Sequence, residues 1–185
     1  MALRTSVTIK DTLKLKAAFA ALVLCSFAVA GNAQAADRAD IQKVTFTEVK
    51  DNAQTRKSYP FLHDVWQQLE TIKEKAGLTK VYVSEVKEGP LKNSFLMRAE
   101  GPFYCGLSNC TFRAYTKTDD GYKELLNIST TDQIYLQNCT DEVSLIFLDA
   151  SDASKVGKWD YKTDEFAFKG VYAGLDKVPA CAVKN

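Results

Sequence analysis

Two cysteines are the residues of this sequence with the clearest capacity for chemistry: Cys105 and Cys110 enclose the segment CGLSNC. Such a pair can be a redox-active thiol couple, part of a metal site, or a disulfide that holds a turn. A redox couple typically uses C-x-x-C spacing at the N-terminus of a helix, where the helix field lowers the thiol pKa. Here four residues separate the cysteines, and the following TFRAYTK alternates like a strand. The pattern favours a structural disulfide.

The first 35 residues have the organisation of a secretory signal peptide. A basic stretch precedes the apolar run AAFAALVLCSFAVAG, and the small-residue pattern AQA ends at Ala35. The apolar run is shorter than the roughly 20 residues that a membrane-spanning helix needs. We therefore predict cleavage after Ala35 and an exported, periplasmic or secreted domain of residues 36–185. An uncleaved anchor and a lipoprotein acylated at Cys25 are the alternatives.

Length and charge limit what the mature chain can be. A chain of about 150 residues suffices for one domain with a substantial core. Removal of residues 1–35 takes away four basic residues and one acidic residue, which leaves 20 basic and 22 acidic residues. A nearly neutral chain with mixed charges has no electrostatic footprint for nucleic acid or an anionic membrane. We predict neither partner, and no membrane span after cleavage.

The mature chain keeps an even number of cysteines, as expected of an exported protein with disulfides. They are Cys105, Cys110, Cys139 and Cys181. Four cysteines allow three connectivities, and sequence alone does not choose among them. The turn-forming residues of GLSN favour a Cys105–Cys110 bond. That bond would leave Cys139 to pair with Cys181 and so to hold the C-terminal tail.

Other catalytic or metal-binding patterns are weak. His63 is the single histidine, and it lies in a helical pattern far from any cysteine, which disfavours zinc and a serine–histidine–aspartate triad. We therefore predict no catalytic residue, no metal and no cofactor. The segment DASDASKVGKWD lacks the pattern of a calcium loop, although a looser calcium site stays open. Carboxylates that converge from separate strands also stay open, because spacing along the chain cannot show them.

The segment YCGLSNCTFRAY resembles a Cys-Gly-x-x-x-Cys element of small exported bacterial proteins of unknown function. The similarity extends over roughly residues 98–126. It implies a bacterial source and a sheet-rich domain in which the element precedes a β-strand. It also implies a structural disulfide, and it implies no activity.

Periodicity predicts an α+β domain, a twisted antiparallel β-meander of about seven to nine strands with one amphipathic helix packed on it and two disulfides. The helix is predicted over residues 59–77, where apolar residues recur at helical spacing and Pro60 suits the first turn. The preceding DNAQTRKS is predicted to be a loop. Short segments predicted as strands fill the rest, with KVTFTEVK (residues 43–50) as the first and SFLMRAE and CTFRAYTK further along the chain. The most apolar, EVSLIFLD, is expected in the centre of the sheet.

One face of CTFRAYTK is a candidate for recognition. If its other face packs on the core, Arg113 and Tyr115 point to solvent, and Tyr104 and Leu107 at the turn extend the patch. Arg and Tyr are enriched in binding hot spots, although an ordinary solvated sheet face is the simpler interpretation. We predict a non-enzymatic binding or envelope accessory protein, with another envelope protein as the kind of partner. A periplasmic hydrolase that uses carboxylates from separate strands is the alternative.

Overall fold

The structure is a computed structural model, and it describes residues 38–72 and 77–181. All of these residues belong to one unit of the chain, Ala35–Asn185. The predicted signal peptide, with Cys25, and residues 73–76 of the predicted helix lie outside the described residues.

Within residues 38–72 and 77–181, ten strands form two five-stranded antiparallel sheets, A and B. In spatial order, sheet A consists of β1 (Ile41–Lys43), β7 (Ile134–Asn138), β8 (Val143–Leu148), β9 (Val156–Lys162) and β10 (Glu165–Tyr172). Sheet B consists of β2 (Thr47–Val49), β3 (Lys80–Val86), β4 (Ser94–Glu100), β5 (Cys110–Thr118) and β6 (Gly121–Thr130). The antiparallel, sheet-rich fold is confirmed, and the apolar EVSLIFLD segment forms β8 at the centre of sheet A.

The structure differs from the prediction in having ten strands and two sheets instead of one meander. The segment predicted as the first strand divides into β1 and β2, because residues 44–46 cross from one sheet to the other. The inner faces of the sheets pack together, with the rings of Phe112 and Phe147 edge to face at 5.0 Å between centroids. A single sheet of this size would leave most of one face uncovered, and pairing two sheets removes that apolar surface from water.

The chain between β2 and β3 forms the helical layer on the outer face of sheet B. It consists of α1 (Ala53–Ser58), a 3-10 turn (Pro60–Leu62) and α2 (His63–Thr71). The predicted apolar stripe is buried there, at Phe61, Leu62, Val65, Trp66 and Leu69. No helix among the described residues is both long and apolar enough to cross a membrane.

The prediction of a loop over DNAQTRKS was wrong, because residues 53–58 form α1. The Asn52 side chain caps this helix by accepting a hydrogen bond from the Thr55 backbone N–H at 2.9 Å. Alanine, glutamine, arginine and lysine within it are strong helix formers. The segment has no buried residue, so hydrophobic periodicity could not indicate a helix there. The capping residue Asn52 was the feature of the sequence that indicated one.

The C-terminal segment covers the outer face of sheet A. Val178 packs on Ile146 and Val156, and the disulfide Cys139–Cys181 joins the segment to the end of β7. The Arg38 guanidinium donates to the carbonyl oxygens of residues 175, 178 and 179. The second predicted disulfide therefore exists and holds the tail as expected.

The Asp40 carboxylate lies among the hydrogen bonds that attach the C-terminal segment to sheet A. Its carboxylate accepts hydrogen bonds from Arg38 (Nη2 to Oδ2, 2.6 Å), from Gln137 Nε2 (2.8 Å) and from the Cys181 backbone N–H (3.4 Å). These contacts, that of Arg38 above all, hold the pKa of Asp40 well below its usual range. The native chain thus resists protonation of a carboxyl that the unfolded chain protonates readily.

We expect Asp40 to make stability depend on acid pH. Because its pKa is lower in the folded state, its contribution is complete above about pH 5, begins to fall near the unfolded-state value of about 4, and is lost only as the pH falls through the lower folded-state value. Asp40→Asn should cost about 1–2 kcal/mol of unfolding free energy at about pH 7 and less at about pH 3. Urea unfolding at both pH values measures this, with the exposed Asp132→Asn as control. Equal losses at both pH values would contradict it.

Candidate functional site

The disulfide-closed turn is the first part of the candidate site. Cys105 and Cys110 are bonded, and the turn between them closes with a hydrogen bond from Gly106 N–H to the Asn109 carbonyl at 2.8 Å. The structural disulfide is therefore confirmed, and no cysteine among the described residues is a free thiol. Leu107 stands fully exposed at the tip of this turn.

Three of the four residues predicted for a recognition face do not form an open surface. Tyr115 is buried and packs on the Phe61 ring at 4.9 Å between centroids. Tyr104 is buried, and its hydroxyl donates to Gln68 Oε1 on α2 at 2.9 Å. The Arg113 side chain is mostly covered and donates to the Tyr115 hydroxyl at 3.4 Å.

The expectation that this face points to solvent was therefore wrong, and the helical layer is the reason. Both faces of β5 are covered, one by sheet A and the other by the 3-10 turn and α2. Burial also raises the pKa of Tyr104 and of Tyr115, which keeps both hydroxyls protonated. Of the predicted patch, Leu107 alone is exposed.

An apolar cleft opens beside the turn, where edge strand β6 of sheet B approaches edge strand β10 of sheet A. We call this gap the seam, and the cavity of about 660 Å³ in it the seam cleft. Ligand pockets typically have volumes of about 300–1,000 Å³. The seam cleft is lined by residues of the disulfide-closed turn, of β6, β9 and β10, and of the end of β8. These residues are Ser108, Asn109, Ile128, Ser129, Thr130, Phe147, Leu148, Asp149, Ala150, Ser151, Gly157, Trp159, Phe168 and Val171.

A series of aromatic rings forms the floor of the seam cleft and leads out from the core. The rings of Phe147 and Trp159 lie 5.1 Å apart, and those of Trp159 and Phe168 lie 4.8 Å apart, between centroids. Phe147 is buried, whereas Phe168 is 57% exposed. Aromatic pairs at such distances attract one another beyond their burial. The buried end of the series therefore fixes the position of the exposed end.

Gly157 makes the room that Trp159 needs. A Cβ atom at position 157 would lie 2.6 Å from Cζ3 of the Trp159 indole, which is closer than atoms can pack. Any larger residue at position 157 would therefore force the indole to shift. The indole position, and with it the shape of the cleft, depends on a residue with no side chain.

Polar groups stand at the rim of the seam cleft. Asp149 accepts hydrogen bonds from the Ser151 hydroxyl (2.6 Å) and backbone N–H (2.8 Å), and these bonds lower its pKa. Asn109 Oδ1 is buried and has no hydrogen-bond partner among the described residues. Buried acceptors normally have a partner, so this oxygen is an unsatisfied acceptor within a residue that lines the cleft. The cleft thus combines an apolar floor with a polar rim.

A second polar cluster bears on the hydrolase alternative. Asp160 accepts hydrogen bonds from the Ser144 hydroxyl at 2.8 Å, and Lys158 Nζ lies 3.1 Å from Asp160 and 3.7 Å from Glu142. Burial opposes the charge of Asp160, but the hydrogen bonds from Ser144 and Lys158 outweigh it and lower the pKa of Asp160. A carboxylate held charged by a lysine is a poor proton donor near neutral pH. This arrangement suits a structural ion pair.

Within residues 38–72 and 77–181, no arrangement of side chains matches a metal-binding site. No group of three or more histidine, cysteine, aspartate or glutamate side chains lies close enough there to hold an ion. His63 is exposed at the start of α2 and borders a small cavity with Arg56, Tyr59 and Trp66. The acidic segment after β8 forms local turns in which Ser151 and Ser154 donate to aspartates.

Comparison with protein families, with characterised proteins and with solved structures finds no match for this chain. The functional argument therefore depends on the geometry of the sites. The main residues of the seam cleft, Trp159, Phe168 and Val171, were not predicted as site residues. A signal that could have found Phe168 is FAFKGV, where Phe166 and Phe168 alternate and so place two aromatic rings on the same face of the strand.

Proposed function

We propose that the protein is an exported binding module without catalytic activity and that the seam cleft is its recognition site. The observation that carries the proposal is an exposed aromatic ring, Phe168, fixed over an apolar cleft beside a disulfide-closed turn. Export is proposed from the signal-like residues 1–35, and two disulfides are compatible with an oxidising compartment. The resemblance of residues 98–126 to small exported bacterial proteins is part of the same proposal.

The proposed ligand is an extended peptide segment of another envelope protein that carries a large apolar side chain. β6 and β10 are edge strands, and edge strands offer backbone groups to an added strand. The rings of Trp159 and Phe168 suit an apolar side chain. Leu107 stands next to the cleft and adds apolar contact area.

The disulfide favours this role energetically. A loop that is already ordered loses little conformational entropy when a partner binds, so more of the contact energy appears as affinity. The Cys105–Cys110 bond and the hydrogen bond across the turn hold Ser108 and Asn109 at the cleft. The hydrolase alternative has no comparable support, because Lys158 contacts both Asp160 and Glu142 and helps to keep Asp160 charged.

We expect Phe168→Ala to lower the affinity for a cleft ligand at least about tenfold, as truncation of a hot-spot aromatic does. Peptides selected from a random display library by the mature chain provide the ligand, and calorimetry measures the affinity. The melting temperature should change little, because the Phe168 side chain is mostly exposed.

Leu78→Ala is the matched control, since Leu78 is also an exposed apolar residue and does not line the seam cleft. It should leave the affinity unchanged. Selected peptides that bind Phe168→Ala as tightly as the native chain, or a library that yields no binder, would refute the seam cleft as the recognition site.

A further inference from the structure

The two sheets share one continuous stretch of chain at the side of the fold opposite the seam. Only residues 44–46 separate β1 from β2, and no turn or bend interrupts them. The Val44 N–H still donates to the Ile134 carbonyl of sheet A at 2.9 Å. The extended chain therefore passes from sheet A into sheet B without reversing its direction. The sheets are joined at this side, whereas β6 and β10 are left unpaired at the seam.

The strand directions explain why the seam stays open. Neighbouring strands within each sheet are antiparallel. Four pairings lead from β1 to β10, so β10 has the direction of β1, and four lead from β2 to β6, so β6 has the direction of β2. Because β1 continues into β2, β6 and β10 run the same way and cannot pair as antiparallel neighbours. One added strand that runs opposite to both would restore the alternation across the seam.

Apolar side chains lie uncovered where such a strand would pack. Trp159 contacts Phe147 in the core between the sheets. Phe168 lies opposite Trp159 across β9 and β10, and Val171 lies opposite Gly157, so both belong to the face that looks toward sheet B. Phe168 is nevertheless 57% exposed and Val171 is 55% exposed. Sheet B ends at β6 and leaves this part of β10 without a cover.

Of the two edges at the seam, β6 is the better acceptor for an added strand. Its residues 126–130 pair with residues 110–114 without a shift of register. In β10, by contrast, the register shifts between Phe168 and Gly170, within the part that lines the seam cleft. Bulges bend an edge and make it a poorer template for pairing. The regular part of β6 therefore offers the longer uninterrupted row of backbone groups beside the cleft.

We propose that a partner segment of about five residues adds to β6 as a strand antiparallel to both β6 and β10, the length matching the regular part of β6. This inference rests on the proposed function and adds to it the edge, the direction and the sequence pattern of the ligand. Alternate side chains of the segment face Trp159, Phe168 and Val171 and are apolar. Those between them lie on the same side as the exposed Asn127 and Ser129 and are polar.

Hydrogen exchange of the native chain tests the edge. The tightest peptide from the display selection is synthesised with capped ends and added to saturation. The amides of residues 126–130 should exchange at least about tenfold more slowly with the peptide, because the added strand gives them hydrogen-bond partners. Strand β2 (Thr47–Val49) is the matched control, since it is also an edge strand and lies away from the seam. Its exchange should not change.

Two modifications of the same peptide test the pairing and its direction. N-methylation should weaken binding at least about tenfold at every second residue, where the N–H points to β6, and much less at the residues between. A nitroxide at the peptide N-terminus should broaden the amide NMR signal of Thr130 more than that of Leu126. A nitroxide at the C-terminus should do the reverse, because antiparallel strands run in opposite directions.

The strand addition is overturned if the peptide protects only Glu165–Tyr172, if N-methylation shows no alternation, or if the two nitroxides give the opposite order. It is also overturned if the chain alone is dimeric and residues 126–130 are protected before peptide is added, which would assign β6 to a second copy. Each of these results differs from failure of the seam cleft itself. A peptide that binds Phe168→Ala more weakly but fails these tests keeps the cleft as the recognition site and removes only the strand addition.

Discussion

Replacement of Phe112 by alanine is expected to lower the free energy of unfolding by about 3–5 kcal/mol. Phe112 is fully buried between the sheets and meets Phe147 edge to face at 5.0 Å between ring centroids. Truncation removes a large apolar side chain and leaves a cavity, because neighbouring strands of both sheets cannot collapse onto it without losing backbone hydrogen bonds. For a domain of about 150 residues, such a loss corresponds to a fall in melting temperature of roughly 10 °C.

Urea unfolding followed by circular dichroism measures this loss. Phe103→Ala is the matched control, since Phe103 lies in the same stretch of chain but is 56% exposed. It should cost less than about 1 kcal/mol. If both variants lost the same free energy, the packing of sheet A against sheet B through Phe112 would not be the main source of stability.

Removal of the long disulfide is expected to cost about 4 kcal/mol, and removal of the short one about 2 kcal/mol. Cys139–Cys181 closes a loop over a sequence separation of 42, whereas Cys105–Cys110 spans a separation of 5. A longer closed loop removes more conformations from the unfolded chain, so its loss favours unfolding more. The long bond also keeps the C-terminal segment over Ile146 and Val156.

The double variants Cys139→Ala/Cys181→Ala and Cys105→Ala/Cys110→Ala serve as controls for each other. Each removes two sulfur atoms and one bond, so the difference between them reports loop length and the attachment of the tail. Guanidinium unfolding of both variants measures that difference. A larger loss from the short bond would mean that the turn at Leu107, and not the tail, organises the fold.

Local features of the sequence predicted much of the secondary structure. The segments SFLMRAE and CTFRAYTK became β4 and β5 within one residue of their predicted ends, and the apolar stripe from Phe61 to Leu69 became the buried face of the helical layer. These features depend on side chains a few residues apart, whose alternation or helical spacing is visible along the chain. Helix α1 was missed because its signal was the cap at Asn52 and not a buried face.

The candidate sites were much harder to predict. Alternation along β5 correctly assigned Arg113 and Tyr115 to one face, but it could not reveal that the 3-10 turn and α2 cover that face. The seam cleft joins Asn109 to Trp159 and Phe168, which are about 50 residues apart in sequence. These residues come together because β6 and β10 are the edge strands of their sheets. The periodicity of a strand does not show whether that strand lies at an edge.

By itself the sequence determined the antiparallel, sheet-rich class of this protein, the position of the amphipathic helix, and the four cysteines of residues 36–185 that form its two disulfides. Only the tertiary structure decided that two sheets form instead of one, that both faces of β5 are buried, and that the cleft lies at the seam between β6 and β10. The physical reason is that local structure follows from backbone hydrogen bonding and side-chain spacing between near neighbours. Which element packs on each face of a strand or helix depends on the burial of apolar surface between segments that are distant in sequence.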